Sequence, residues 1–350
     1  MSIASEHDLV AAAFATRVAE QEQRLLAPLA ARSYPAIRAH EEPDCALRTP
    51  FQRDRDRIVH SKAFRRLTHK TQVFVAPQGD HYRTRLTHTL EVTTISRTVA
   101  RALRLNEDLT EAIGLGHDLG HPPFGHIGED VLDRCLKDRF GRDFRHYEHS
   151  LRIVESLERD GAGLNLTGQV REGIARHSSR TPPPDTLEGR IVRVIDRVAY
   201  INHDIDDAIR AGLLHERDLP AQPIAVLGRS GSLRIDALVH DMVEHSERAG
   251  DIVQGERAGE AMSALRDFMF ERIYLGPAVR AEHQKIAAVV QRLFQHYVHN
   301  PDALPGAGEG GAPAGEEELA ERVTDYLAGM TDRYCIRRYT ELQVPQAFAR

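Results

Sequence analysis

The stretch from Gly116 to Glu129 places three histidines, His117, His121 and His126, with Asp118 and Glu129 inside fourteen residues. His117 and Asp118 are adjacent. Imidazole nitrogen and carboxylate oxygen together hold divalent metals, and a bound metal makes hydroxide available near neutral pH. The remaining histidines and the glutamate supply groups for proton transfer. The chemistry these residue types support is metal-assisted hydrolysis.

More ligands are needed. His88, in Arg85-Leu86-Thr87-His88-Thr89-Leu90-Glu91-Val92, shares a helical stripe with Val92, Ile95 and Val99, so it points inward. Alone, it would read as a hydrogen-bonded core histidine. His117 follows Ile113 by one turn and Leu109 by two, and it points inward as well. Asp118 comes next, and a carboxylate is rarely buried without a partner. A metal accounts for the three together better than chance does. For the fourth ligand, Asp196 sits in the apolar run Val194-Ile195-Asp196-Arg197-Val198. A salt bridge to Arg193 or Arg197 is its ordinary alternative, and Asp204, Asp206 and Asp207 compete on composition. Two histidines and two aspartates suit Mn, Fe, Zn, Ni or Mg without choosing among them. The His117 and His121 spacing also fits the helix of zinc proteases, but those require Glu directly after the first His, and here it is Asp118.

The elements that must position these residues read as helices. Apolar periodicity predicts helices over Arg53–Leu67, Leu86–Leu105, Asp108–Leu119, Phe144–Leu157, Val170–His177 and Glu188–Ala211. Asp108 with Glu111 gives a capping-box-like start to the third. Pro122 and Pro123 stop it or force a turn. Amphipathic helices continue from about Ala221 to Val298, although Ile224–Leu227 fits a strand equally well. Pro301–Glu318 is rich in Gly, Pro, Ala and Glu and reads as a flexible loop, since no GK[ST] follows to make it a phosphate-binding loop. A last helix is predicted over Leu319–Tyr339. The fold class is therefore all-α, with a helical core that carries the metal set and additional helices before and after it. The expected division is an N-terminal extension over 1–47, a basic helical segment over 48–83, a core over 84–208 and a C-terminal helical region over 209–350.

With 350 residues and 41% hydrophobic content the chain can bury a large core, filled mostly by aliphatic side chains because Trp is absent. Its net charge of −6 argues against a general nucleic-acid binder. Yet from Arg48 to Arg85 there are ten Lys or Arg and only three Asp or Glu, a basic island suited to a local anionic ligand. Cys45, Cys135 and Cys335 form no CxxC pair, which predicts a reduced, cytoplasmic setting. The apolar run Leu9–Ala15 follows Glu6 and Asp8 and is too short and too acidic at its start for a signal peptide. No stretch approaches the roughly 20 apolar residues of a membrane helix.

His88, the His117-Asp118 doublet and Asp196 resemble the H…HD…D signature of the HD-domain phosphohydrolase superfamily. The surrounding sequence is more specific. Phe64–Val73, Arg85–Val92, His117–Glu129, Leu187–Arg190, Tyr200–Ala208 and Asp325–Tyr334 look like the deoxyguanosine triphosphate triphosphohydrolase family, in the same order and across roughly Arg48 to Tyr339. The resemblance implies an HD-domain fold and hydrolysis of a deoxynucleoside triphosphate to deoxynucleoside and intact triphosphate. It implies His88, His117, Asp118 and Asp196 as metal ligands, and His126 and Glu129 as catalytic groups. It also implies a homo-oligomer, with a nucleotide or single-stranded DNA as effector in some members.

On that resemblance, dGTP and other dNTPs are the expected substrates. His126 would move protons and Glu129, three residues on, would tune it; the alternative for Glu129 is an acid favouring the start of a helix. His121 is placed to line the cavity or to support the ligands from behind. Arg48, Arg53, Arg65, Arg66, Lys70 and Arg85 are candidates to grip the polyphosphate, with Arg53, Arg66 and Lys70 favoured. Tyr200 and His203, one and two turns after Asp196, are placed for sugar, base or packing. Where the family often shows His-Asn-x-Gln-Ser, this chain reads His146-Tyr147-Glu148-His149-Ser150, which predicts a broader dNTP range than dGTP alone. Two other readings are another HD nucleotide phosphohydrolase, such as a 5′-nucleotidase, and a non-catalytic dNTP or nucleic-acid sensor. An alarmone hydrolase usually continues the doublet with Glu-Asp, whereas Leu119-Gly120-His121 follows here.

Overall fold

The computed structural model describes residues 6–72, 83–305 and 313–345. Among them there are helices and isolated bridges but no strand. α1 spans Glu6–Leu25, α2 Pro50–Val59 and α3 Lys62–Arg66. The single helix expected over Arg53–Leu67 is thus divided. Thr49 caps α2 with a full capping box and Pro50 at its first position, and Ser61 starts α3 anew by accepting the Phe64 amide.

α4 (Arg85–Ala102), α5 (Glu107–Gly116), α8 (Gly168–Ala175) and α9 (Leu187–Arg210) surround the main core together with α2. Ile58, Val92, Val99, Leu109, Ile113, Ile174, Ile191 and Ile195 are wholly buried there. Each such side chain contributes about 1.5–3 kcal/mol by leaving water. α5 is capped by Asn106, whose side chain accepts the Leu109 amide at 3.1 Å. The expected start at Asp108 is corrected: its carboxylate bonds Thr49 instead.

α6 (Gly125–Phe140) follows the turn at the two prolines, and α7 (His146–Arg152) runs into a wider turn over Ile153–Leu157. A second core joins α6 to α13 (Pro277–His299), α14 (Glu316–Ala328) and α15 (Asp332–Gln343), through Leu132, Leu293, Tyr297, Val323 and Leu327. The single last helix expected over Leu319–Tyr339 is broken at Gly329, and Thr331 caps α15. The second half of α9 packs with α10 (Ala221–Leu227), α11 (Gly231–Ala249) and α12 (Glu256–Met269) through Ile205, Leu238 and Leu265. The ambiguous run Ile224–Leu227 is helical. Of the expected loop over Pro301–Glu318, 306–312 lie outside the described residues, and α14 already begins at Glu316. No described helix is long and apolar enough to cross a membrane.

Candidate active site

Three helices and the turn after one of them converge on the candidate metal set. α4 carries His88, the end of α5 carries His117 and Asp118, and α9 carries Asp196. One donor atom each from His88, His117 and Asp196 lies within 4.8 Å of the others. His88 Nε2 stands 3.0 Å from Asp196 Oδ1 and 4.0 Å from Asp118 Oδ2, and His117 Nε2 is 3.5 Å from Asp118 Oδ1. His117 Nδ1 donates to the Gly114 carbonyl at 2.7 Å. That bond leaves Nε2 bare, and this buried nitrogen has no hydrogen-bond partner. A lone pair buried among carboxylates fits a divalent cation, and the donor set suits one. Burial pushes the Asp118 carboxyl up, but His117, His121 and Arg85 outweigh it and hold the group well below the usual range. Burial likewise raises Asp196, and the His88 hydrogen bond and His117 reverse that.

A second group of histidines lies beside the first. His126 Nδ1 is 3.0 Å from Glu129 Oε2, and the same carboxylate accepts His146 Nδ1 at 2.9 Å and the His146 amide at 3.0 Å. Burial opposes ionisation of Glu129, but the hydrogen bonds of His126 and His146 hold it far below the ordinary range. His126 is 68% exposed, whereas Glu129 is 4% exposed. An exposed imidazole therefore sits on a buried, ionised carboxylate, with Nδ1 committed and Nε2 free. His121 stacks on His146 with ring centroids 3.9 Å apart and reaches Asp118 Oδ1 at 3.2 Å. Burial, then Arg85, keeps His121 neutral.

The expected cations divide. Arg53 is engaged by Glu42 at 3.1 Å and the Pro43 carbonyl at 2.8 Å, within a network that also holds Arg38 and Arg57. Arg66 lines a cavity of about 790 Å³ together with Met330, Tyr326 and Tyr334. Lys70 is buried and donates to the carbonyls of His121 and Ala328, at 2.5 and 3.0 Å. Burial, aided by Arg66 and Arg85, brings its ammonium down to about 7. Arg53 and Lys70 thus already hold partners within the protein, and Arg66 lines that cavity. Arg85 is the guanidinium at the centre. It is 1% exposed, meets Asp118 Oδ2 at 2.8 Å, and leaves its Nε and one terminal nitrogen without a partner. It lies three residues before His88, on the same helical face, which is the signal that would have favoured it.

His203 is 3.1 Å from Glu91 and lies edge-on to His88, 5.9 Å between centroids. Burial, then His88, depresses it to about 2. Tyr200 is half-buried on α9, and burial, then Asp196, raises its phenol to about 12. Asp204 accepts the Tyr274 hydroxyl, and it is Asp196 whose oxygen lies with the donor atoms of His88 and His117. Three contributors escaped the sequence reading. His146 and His177 meet Nε2 to Nε2 at 3.1 Å. Asp332 binds the turn that launches α6. His146 stood only as part of a substituted run, and His177 only as a helix end.

Residues 85–201 match the HD domain family, and residues 252–341 match the phosphohydrolase-associated domain family. Relatives named deoxyguanosinetriphosphate triphosphohydrolase-like proteins cover most of the chain. The one from Caldanaerobacter subterraneus subsp. tengcongensis is 53% identical over 93% of this chain and 94% of its own. Those from Desulfatibacillum aliphaticivorans and Clostridium perfringens are 47% and 48% identical, over 93% and 87% of this chain and 97% and 90% of theirs. At such identity over nearly the full length, the chain belongs to the deoxyguanosinetriphosphate triphosphohydrolase-like family of HD-domain phosphohydrolases.

Proposed function

We propose that the chain hydrolyses deoxynucleoside triphosphates, dGTP among them, to deoxynucleoside and intact inorganic triphosphate. The observation that carries this reading is the exposed His126 imidazole on buried Glu129, set beside buried His88, His117 and Asp118 and half-buried Asp196. Those four residues would hold a divalent cation, which lowers the pKa of a water and draws charge from a phosphoryl group. The oxygen of water forms a bond to the α-phosphorus, and the bond from that phosphorus to the 5′ oxygen breaks. The leaving oxygen takes a proton and departs as deoxynucleoside, so the polyphosphate stays whole.

His126 Nε2 carries protons in this step. Glu129 accepts from Nδ1 and so fixes the tautomer that leaves Nε2 to face substrate. The unpaired Arg85 nitrogens are placed to take phosphate oxygens, as a guanidinium fork does well. His121, neutral and packed on His146, keeps the histidine face in position. Tyr147 lies edge-on to His146 at 5.5 Å, so the departure from the family's amide at that position reaches a site ring. This supports a dNTP range broader than dGTP.

The test is chromatographic product analysis with Mn or Mg and each of the four dNTPs. Deoxynucleoside with triphosphate is the expected pair. Monophosphate with pyrophosphate would overturn the proposed bond cleavage.

A further inference from the structure

His146 and His177 are both buried, and their Nε2 atoms face each other at 3.1 Å. The other nitrogen of each ring is committed. His177 Nδ1 is 2.8 Å from the Ile174 carbonyl, which can only accept, so that nitrogen carries the hydrogen. His146 Nδ1 lies 2.9 and 3.0 Å from the two oxygens of Glu129, which can likewise only accept while ionised. Two neutral rings arranged this way aim bare lone pairs at one another. In a buried place that contact is repulsive unless a cation lies between them.

A third donor is at hand. One atom each from Asp118, His146 and His177 lies within 4.8 Å of the others. The support behind the histidines has the form that metal-ligating histidines use, with a carbonyl or carboxylate behind each ring. His177 bonds the carbonyl three residues before it, at 2.8 Å, just past the end of α8. His117 does the same at 2.7 Å at the end of α5. One local construction therefore occurs twice, and the two rings stand edge to face, 5.1 Å between centroids.

We propose that Asp118, His146 and His177 form a second divalent-cation site that shares Asp118 with the first. The proposal rests on the reading of His88, His117, Asp118 and Asp196 as the first site. Two imidazoles and a carboxylate select a first-row ion such as Mn, Fe or Zn. Hydrolytic pairs of ions stand about 3.5–4 Å apart, which a shared carboxylate spans. Glu129 then has two tasks, orienting His126 toward substrate and His146 toward the cation.

The experiment is a Mn(II) titration of metal-stripped, full-length protein, with bound metal counted by mass spectrometry after equilibrium dialysis and the loaded protein examined by electron paramagnetic resonance. Expected are two Mn per chain in the wild type, one in His177→Ala, and an exchange-coupled spectrum from the wild type. One Mn per chain with an uncoupled spectrum overturns the second site and leaves the first standing; a proton then joins the two rings. No bound Mn overturns both. Two Mn in wild type and in folded His177→Ala alike also overturns the proposal. Should His177→Ala fail to fold, as judged by circular dichroism, the wild-type count and spectrum decide alone.

Discussion

Asp332, at the first turn of α15, accepts the Phe124 amide at 2.9 Å, and its other oxygen takes the Thr71 amide and hydroxyl at 3.0 and 2.6 Å. Phe124 has a φ of 65°, a left-handed backbone that costs a non-glycine residue about 1–2 kcal/mol. It stands immediately before α6, which carries His126 and Glu129. One carboxylate from the C-terminal region thus ties down the turn that aims the proposed proton carrier.

Asp332→Ala should therefore lower kcat by about 10- to 100-fold, as a displacement near 1 Å can. Metal content should stay at the wild-type value. Asp332→Asn should fall between, because its single acceptor oxygen can serve only one side. Steady-state kinetics below the melting temperature provide the check. An unchanged kcat in a protein that merely melts earlier would leave Asp332 a packing residue.

Glu129→Gln should lower kcat by roughly 10²- to 10⁴-fold, the range of general acid–base contributions. The amide cannot accept from His126 and two His146 donors at once, so His126 loses its fixed tautomer. His126→Ala should match it in kcat. Comparable loss accompanied by depletion of the first metal would contradict a division between proton carrier and metal ligands.

Arg85→Lys should weaken kcat/KM by about 10- to 100-fold, equivalent to one charge-assisted hydrogen bond of about 1.5–3 kcal/mol. A lysine keeps the charge beside Asp118 but not the planar fork. Equal losses for all four dNTPs are expected, since every substrate carries the same phosphates. A loss confined to one base would place Arg85 near the base instead.

Asp204 supplies a test by pH. Burial raises its carboxyl to about 7, although the Tyr274 hydroxyl bond pulls the other way. The folded chain thus holds this proton more tightly than the unfolded chain. Below about pH 4 both states are protonated and the group is neutral in its effect. As pH rises to about 7 the unfolded state ionises first and folded stability falls, by up to roughly 4 kcal/mol at 1.36 kcal/mol per unit. Asp204→Asn keeps an acceptor for Tyr274 and removes that slope. In thermal melts of metal-stripped protein, its midpoint should gain on the wild type from pH 5 to pH 8. Parallel curves would refute the assignment.

Gly120 is a point of close approach between the doublet's turn and α7. A Cβ there would meet the Ser150 amide at 2.2 Å and the His146 carbonyl at 2.3 Å. Both are backbone atoms and cannot swing aside. Gly120→Ala should cost roughly 1–3 kcal/mol, the usual range for overpacking, and push His146 off His121. Denaturant melts with kcat measured in parallel test it; a stable and fully active variant would show that the contact yields freely.

The helical class and the lengths of α4 and α9 were legible because apolar residues recur at 3.6 spacing over many turns. The His117-Asp118 doublet was legible because two candidate ligands are adjacent in the chain, and His88 because it lies on an apolar stripe. Caps were less so: Asn106 outcompeted Asp108, and Thr331 restarted a helix that periodicity ran together. The basic island was visible as charge, but charge does not say where a guanidinium ends. Glu42 and the Pro43 carbonyl engaged Arg53, and two carbonyls engaged Lys70.

Residue type and spacing by themselves determined the family, the helices and the candidate ligands near one another in sequence, since local periodicity and adjacency are written in the chain. Only the tertiary structure decided which distant groups meet. His146 and His177 face each other because α7 and α8 pack side by side, and Arg85 reaches Asp118 because α4 crosses α5. Asp332 finds Phe124 because α15 closes over the turn before α6. Such contacts depend on how helices stack, and stacking is set by the summed burial of many side chains rather than by any motif.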